Sequence, residues 1–183
     1  MEHRFKRLVV GGLILASMSL FDPGSPPFSI LSSTPVCPAA SPRTGSQDAS
    51  IEVLERSTFD RVNRERMARG LPPFRLDDHL TGAARRHSQD MADRRFMDHI
   101  NPDGYSFVDR ARLAGARHAR QIAENLGMQR GNADPVMEIV RGWINSPHHR
   151  RNMLNPRFRC TGIGVARAAD GTIYFTQLFA DRS

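Results

Sequence analysis

The sequence predicts an α+β fold, a three-layer α-β-α sandwich in which a small antiparallel sheet lies between helices. Two observations carry this. Three stretches between residues 51 and 145 repeat apolar side chains at helical spacing, whereas the C-terminal stretch "CTGIGVARAADGTIYFTQLFA" alternates with period two about Asp170-Gly171. On the first strand Thr161, Ile163 and Val165 point one way and Cys160, Gly162 and Gly164 the other, and on the second Ile173, Phe175 and Phe179 oppose Tyr174, Leu178 and Ala180. Apolar residues on both faces require cover on both sides, and helices are the available cover.

The elements follow in order. Leu54, Thr58 and Val62 define a first helix that stops at Gly70, ahead of Pro72-Pro73. Asp77 or Asp78 caps a second, on which Leu80, Ala84, His87 and Met91 share a core-facing stripe. Asn101-Pro102-Asp103-Gly104 is a turn cluster, and a short helix from Ser106 to about Ala114 ends at Gly115. Asp134 followed by Pro135 opens a helix with Val136, Val140 and Trp143 inward. Ser146-Pro147 repeats the device for a helix running to Leu154. Gly162 and Gly164, on one strand face, suit close approach of a neighbouring backbone.

Residues 1–21 combine a basic start with the apolar run "LVVGGLILASMSLF", too short for a spanning helix, and read as a signal peptide or N-terminal anchor. No clean A-x-A cleavage site follows, so an uncleaved tether stays open. Residues 22–50 are rich in Pro, Ser, Gly and Ala and are expected to be a disordered linker. The folded domain is expected at 51–183. The protein is therefore expected to be exported, either secreted or held in the cell envelope. Its net charge of +7 favours anionic neighbours, but no basic stripe interleaved with aromatics points to nucleic acid. The two cysteines, Cys37 and Cys160, form no disulfide framework, and whether they pair stays open. A monomer is expected.

Three residues carry chemistry. In "WINSPHHRRNML" the adjacent His148 and His149 sit at the second and third positions of a helix, about 100° apart, so at most one can serve a given site. The helix N-terminus favours a neutral ring and opposes a nearby cation, which suits a weak metal site or an anionic ligand. His99, in "FMDHINPDG", precedes a structured turn. Glu124, in "QIAENLG", is a lone acid that either turns to solvent or is buried and paired. Two histidines and a carboxylate are the ligand count of a hydrolytic zinc site, but no local metal motif ties them together, and unrelated polar residues are the alternative. His87 reads as a hydrogen-bonded core histidine, and Gln177, on the Phe175 and Phe179 face, needs a buried partner or an opening to water.

Taken in order, "NRERMARGLPPFRLDDHLTGAARRHSQDMA", "FMDHINPDGYSFVDRARLAG", "AENLG", "WINSPHHRRNML" and "TGIGVARAADGTIYFTQLFA" resemble the bacterial branch of the CAP superfamily. That superfamily groups cysteine-rich secretory proteins, insect venom antigens and plant pathogenesis-related proteins. The resemblance implies an α-β-α sandwich with a central cavity whose histidines can bind zinc or another divalent ion. By resemblance, His99 and His149 are the metal-binding histidines and Glu124 is the glutamate of the "GEN" motif, with Ala123 in place of its glycine. His148 replaces a glycine before the second histidine, and Ser146 stands where eukaryotic relatives carry a second glutamate. Ser146, Gln177 and His148 are expected to line the cavity, while Asn63 and Arg66, matching "NxxR", are structural. The implied function is an exported module that binds a ligand or a weakly held divalent metal at the envelope. Alternatives are a metal-dependent hydrolase acting on peptide or cell-wall material, with Glu124 activating water, and a module for anionic lipid or surfaces. The ligand class stays open among a small molecule, a peptide and a lipid.

Overall fold

The computed structural model describes residues 45–182, with side chains from Ser50 onward. The expected export segment, most of the expected linker and Cys37 lie outside the described residues. Helix α1 (Gly45–Met67) begins inside the stretch read as linker. No proline follows Gly45 before the amphipathic run, so nothing prevents the helix from extending backwards from Ile51. The chain then forms β1 (Arg75–Leu76), α2 (Asp78–Arg94), α3 (Phe107–Leu113) and β2 (Ile122–Gln129). Helices α4 (Pro135–Asn145) and α5 (Pro147–Met153) and strands β3 (Cys160–Arg167) and β4 (Ile173–Ala180) complete it. Among the described residues no helix is long and apolar enough to cross a membrane.

The four strands are ordered β1-β3-β4-β2. β2 and β3 both run antiparallel to β4, but β1 is parallel to β3, so the sheet is mixed rather than wholly antiparallel. The parallel edge exists because Arg75 and Leu76 are held extended between Pro72-Pro73 and Asp77, where backbone N–H groups of Arg75 and Asp77 donate to Arg159 and Thr161. One sheet face packs Ile163, Val165, Phe175 and Phe179 against Val62 of α1, Val140 and Trp143 of α4 and Met153 of α5. The other packs Cys160, Leu178 and Ala180 against Leu80 and Ala84 of α2 and Ala111 of α3. Further along that second face Leu126, Ala166 and Tyr174 meet Met91 and Ala92 of α2. The alternation seen in the sequence is thus the division between the two helical layers.

The expected caps form at Asp77, whose carboxylate accepts the Leu80 N–H at 2.8 Å, and at Asp134, which accepts that of Met137 at 2.9 Å. Ser106 and Asp109 close a reciprocal capping box on α3. Ser146 differs: it occupies the N-cap position of α5, yet its hydroxyl makes no capping bond. The β3–β4 connection is a three-residue loop closed by the Ala168–Thr172 pair, with Gly171 at φ 86°, one residue longer than a two-residue Asp-Gly turn.

Gly162 and Gly164 set the distance between α2 and the sheet. A Cβ on Gly164 would stand 2.1 Å from the Ala84 carbonyl carbon, and one on Gly162 2.2 Å from that of Leu80. Both neighbours are backbone and cannot rotate aside. Gly164→Ala is therefore expected to cost about 3 kcal/mol by forcing α2 off the sheet, measured as a lowered denaturant midpoint. Gly142→Ala, within α4 where a Cβ would meet nothing, is the control and is expected to raise stability by about 0.5–1 kcal/mol.

On the far edge of β3, beyond β1, the buried Glu55 of α1 accepts the Val165 N–H at 3.2 Å and pairs with Arg85 of α2. Arg66 of α1 is fully buried and donates to the carbonyls of Pro72, Met153, Asn155 and Phe158. Asn63 brackets Phe74 with two backbone hydrogen bonds. The structural reading of both residues holds. Cys160 is buried and has no disulfide partner among the described residues.

Candidate functional site

Glu124 lies on β2 opposite Leu178, so period two aims it at the α2–α3 side of the sheet. Its side chain is 0 % exposed, and each carboxylate oxygen has a partner: His99 Nδ1 meets Oε1 at 2.8 Å and Arg110 Nη2 donates to Oε2 at 2.8 Å. Of the two fates open to a lone acid, buried and paired is the one realised. Arg110, on α3, also donates through Nη1 to the carbonyls of His99 and Tyr105, so one guanidinium joins the acid to the loop that carries the histidine. That loop is held from behind by His87 of α2, whose Nε2 bonds the Asp98 carbonyl at 2.9 Å. Asn101 folds the turn on itself, exchanging backbone bonds with Tyr105 and Gly104.

His99 is fixed by its Nδ1 contact and an edge-on contact with Phe107, which leaves Nε2 as its free nitrogen. This is the arrangement in which a carboxylate sets the tautomer and orientation of a ligating histidine. The hydrogen bond to Glu124 raises the pKa of His99, because it favours the protonated ring. His149 on α5 is half-buried, and burial lowers its pKa, with the charge of nearby His99 pushing it further down. Its backbone carbonyl is anchored by Asn125 at 3.0 Å, and Asn152 ties α5 to Asn125 and to the Glu124 carbonyl. His148 is exposed on the next face of the helix.

The structure thus brings His99 and Glu124 into contact and sets His149 within electrostatic reach of His99. Among the described residues no group of three or more His, Cys, Asp or Glu side chains is placed to hold a metal. Ser146 and His149 line a groove of about 600 Å³ between β2 and α4. Gln177 takes the first of its two expected options at one end only: it is fully buried, donates to Thr161 Oγ1 at 3.1 Å, leaves Oε1 without a partner among the described residues, and is absent from the groove lining. His148 is likewise not part of that lining.

Arg110 is not singled out by the sequence, because nothing around it distinguishes it from the other arginines of the chain. Strand β2 does carry a readable signal. Ile122, Glu124, Leu126 and Met128 alternate with the smaller or amide-bearing Ala123, Asn125, Gly127 and Gln129.

His87 gives the site a pH signature. Burial lowers its pKa, and with Nε2 donating to Asp98 its Nδ1 has no partner among the described residues, so a proton there would be buried unpaired. A folded pKa below the unfolded 6.5 means that the unfolded chain takes up the proton first. Its contribution is therefore intact above about pH 6.5 and lost as pH falls from there through the lower folded value. His149 acts in the same sense. His99, with a raised pKa, acts oppositely and contributes stability below about 6.5 that fades as pH rises. His87→Gln is expected to flatten the acid side of the stability profile below about pH 6.5, read from urea midpoints at each pH.

The three-layer sandwich, with its histidine–carboxylate–guanidinium cluster and a groove between β2 and α4, defines an SCP-type domain. The sequence profile of the cysteine-rich secretory protein (CAP) family matches residues 59–179, and the chain belongs to that family. It is 36% identical over 134 residues to the uncharacterized protein YkwD of Bacillus subtilis (strain 168), covering 73% of this chain and 50% of that one. It is 30% identical to the uncharacterized membrane protein YlbC of the same organism, covering 70% of this chain and 34% of that one. The chain thus spans half or less of the length of these relatives. An extracellular protein containing an SCP domain from Bacillus anthracis superposes with a TM-score of 0.66 at 28% identity, over 79% of this chain and 45% of that one. An outer surface protein of Borrelia burgdorferi shares the fold, with a TM-score of 0.65 at 19% identity, over 72% of this chain and 95% of that one.

Proposed function

We propose that this chain is an exported cavity module that binds a ligand or a divalent metal at the cell envelope, with His99 and His149 as the metal-holding side chains. The contact that supports this is His99 Nδ1 to Glu124, which holds the ring with Nε2 free. Export rests on the basic and apolar N-terminal run and on the extracellular protein of Bacillus anthracis that the domain resembles. Two imidazoles with no third protein ligand among the described residues suit a weakly held ion completed by water or by the ligand itself. Such an ion would act as a Lewis acid on whatever completes its coordination. Glu124, engaged at both oxygens, is a positioning residue here rather than a free base.

Titration of the purified protein with zinc is expected to show weak binding that His99→Ala and His149→Ala abolish and His148→Ala leaves intact. Glu124→Gln should weaken it by roughly tenfold to a hundredfold, the usual cost of losing an outer carboxylate partner. No heat, or equal loss from all three histidine variants, overturns the assignment. Chelator-sensitive turnover of a peptide or cell-wall fragment that disappears in Glu124→Gln would replace binding with hydrolysis. Binding to anionic vesicles that vanishes with salt but ignores the cavity variants would assign the function to net charge instead.

A further inference from the structure

The groove that His149 and Ser146 line also runs beside the outer edge of β2, which among the described residues pairs on one side only, with β4. The ladder decides which backbone groups face outward. Asn152 and Trp143 donate to the carbonyls of Glu124 and Leu126, so these two residues point away from β4. Period two points the N–H and C=O of Met128 the same way, and among the described residues no side chain caps them. Met128 itself is 54 % exposed, and Met97 opposite lines the same groove at 46 %. Such an edge is a template for another strand unless something covers it.

A second observation points to a ligand. Gln129 lines this groove, is only 9 % exposed, and neither its Oε1 nor its Nε2 has a partner among the described residues. A buried carboxamide left unpaired is a group awaiting a partner, and it offers a donor and an acceptor in the geometry of a peptide group. The Ser146 hydroxyl, released from capping, is another unspent polar group in the lining. Arg130 and Glu138 contribute one charge of each sign, which suits an uncharged occupant.

We infer that this groove takes an extended, uncharged peptide segment, added as a strand at Met128 and met by the Gln129 carboxamide. Main-chain pairing supplies the affinity and the two methionines adapt to its apolar side chains. A peptide fits better than an amino sugar because the outward N–H and C=O of Met128 and the Gln129 carboxamide beside them each match a main-chain amide, with a donor and an acceptor apiece. The inference deepens the ligand half of the proposed function and rests on that reading of the groove.

The test uses the full chain and an acetylated, amidated hexapeptide of alternating valine and serine, followed by amide resonances and by emission of Trp143, the chain's single tryptophan. Resonances of Leu126 to Arg130 should shift, and hydrogen exchange of the Met128 N–H should slow. Methylating alternate peptide nitrogens should weaken binding at least tenfold, as should Met128→Pro, which removes an outward donor without touching the ladder to β4. Gln129→Leu should weaken binding similarly while raising the melting temperature, since it removes an unpaired buried amide. A response confined to other residues, equal binding of the methylated probe, or equal binding of an N-acetylated amino-sugar disaccharide overturns the inference. Zinc titration of the same samples separates the readings. Retained zinc binding without a peptide response refutes the strand addition alone, and the converse refutes the metal assignment alone.

Discussion

Replacing Arg66 with leucine is expected to destabilise the domain by about 4 kcal/mol, read from denaturant unfolding. The guanidinium is wholly buried, lies 3.7 Å over the Phe74 ring, and is the shared donor for carbonyls of Pro72 and of the α5–β3 corner from Met153 to Phe158. Burial and the charge of Arg159 lower its pKa to about 10, so it remains a cation at neutral pH although no carboxylate among the described residues pairs with it. What offsets its desolvation is the set of carbonyl dipoles around it. Removing the cation leaves those carbonyls, at the end of α5 and the entry to β3, buried and unpaired. Arg66→Lys should recover only part of the loss, because a single ammonium cannot span the fork that reaches Pro72 and Met153 together. If Arg66→Leu is nearly neutral, the residue is not the tie between α1 and the α5–β3 corner.

Arg110→Met is expected to cost a similar amount, about 4 kcal/mol, for a different reason. It strips the counter-charge from Glu124, whose side chain is fully enclosed, and leaves that carboxylate with His99 as its one partner. It also frees the carbonyls of His99 and Tyr105, so the loop carrying the histidine loses its clamp. The double variant Arg110→Met/Glu124→Gln should be more stable than Arg110→Met alone, because the uncompensated buried charge is gone. A double-mutant cycle reads this as a coupling of opposite sign to simple additivity. In the double variant the pKa of His99 should also fall, since the hydrogen bond that raises it loses its charge. Additive losses with an unmoved His99 titration would mean that the cluster does not act as a unit.

Both residues lie where local reading of the chain ends. The α2 stripe of Leu80, Ala84, His87 and Met91 is legible because every member answers to one helical period, and all four are buried. The Asp77 and Asp134 caps and the Gly162 and Gly164 pair are legible for the same kind of reason, since each expresses a constraint acting within a few residues. That His148 and His149 cannot share a target also follows from helix geometry alone, and the structure places only His149 in the groove. β2 is harder to see because its one acid and two amides dilute an alternation that is otherwise plain. The parallel edge at β1 is invisible at two residues, too short to carry a period.

The sequence by itself determined the layers, because the alternation of apolar side chains on β3 and β4 requires helical cover on both faces whatever the loops do. Only the tertiary structure decided the chemistry of Glu124. Whether a buried carboxylate acts as a base, a ligand or an orienting partner depends on which charges stand within a few ångströms of it. Those charges, His99 and Arg110, arrive from positions 25 and 14 residues away along the chain. No periodicity spans such distances, so the pairing exists only once β2, α3 and the loop after α2 have packed together.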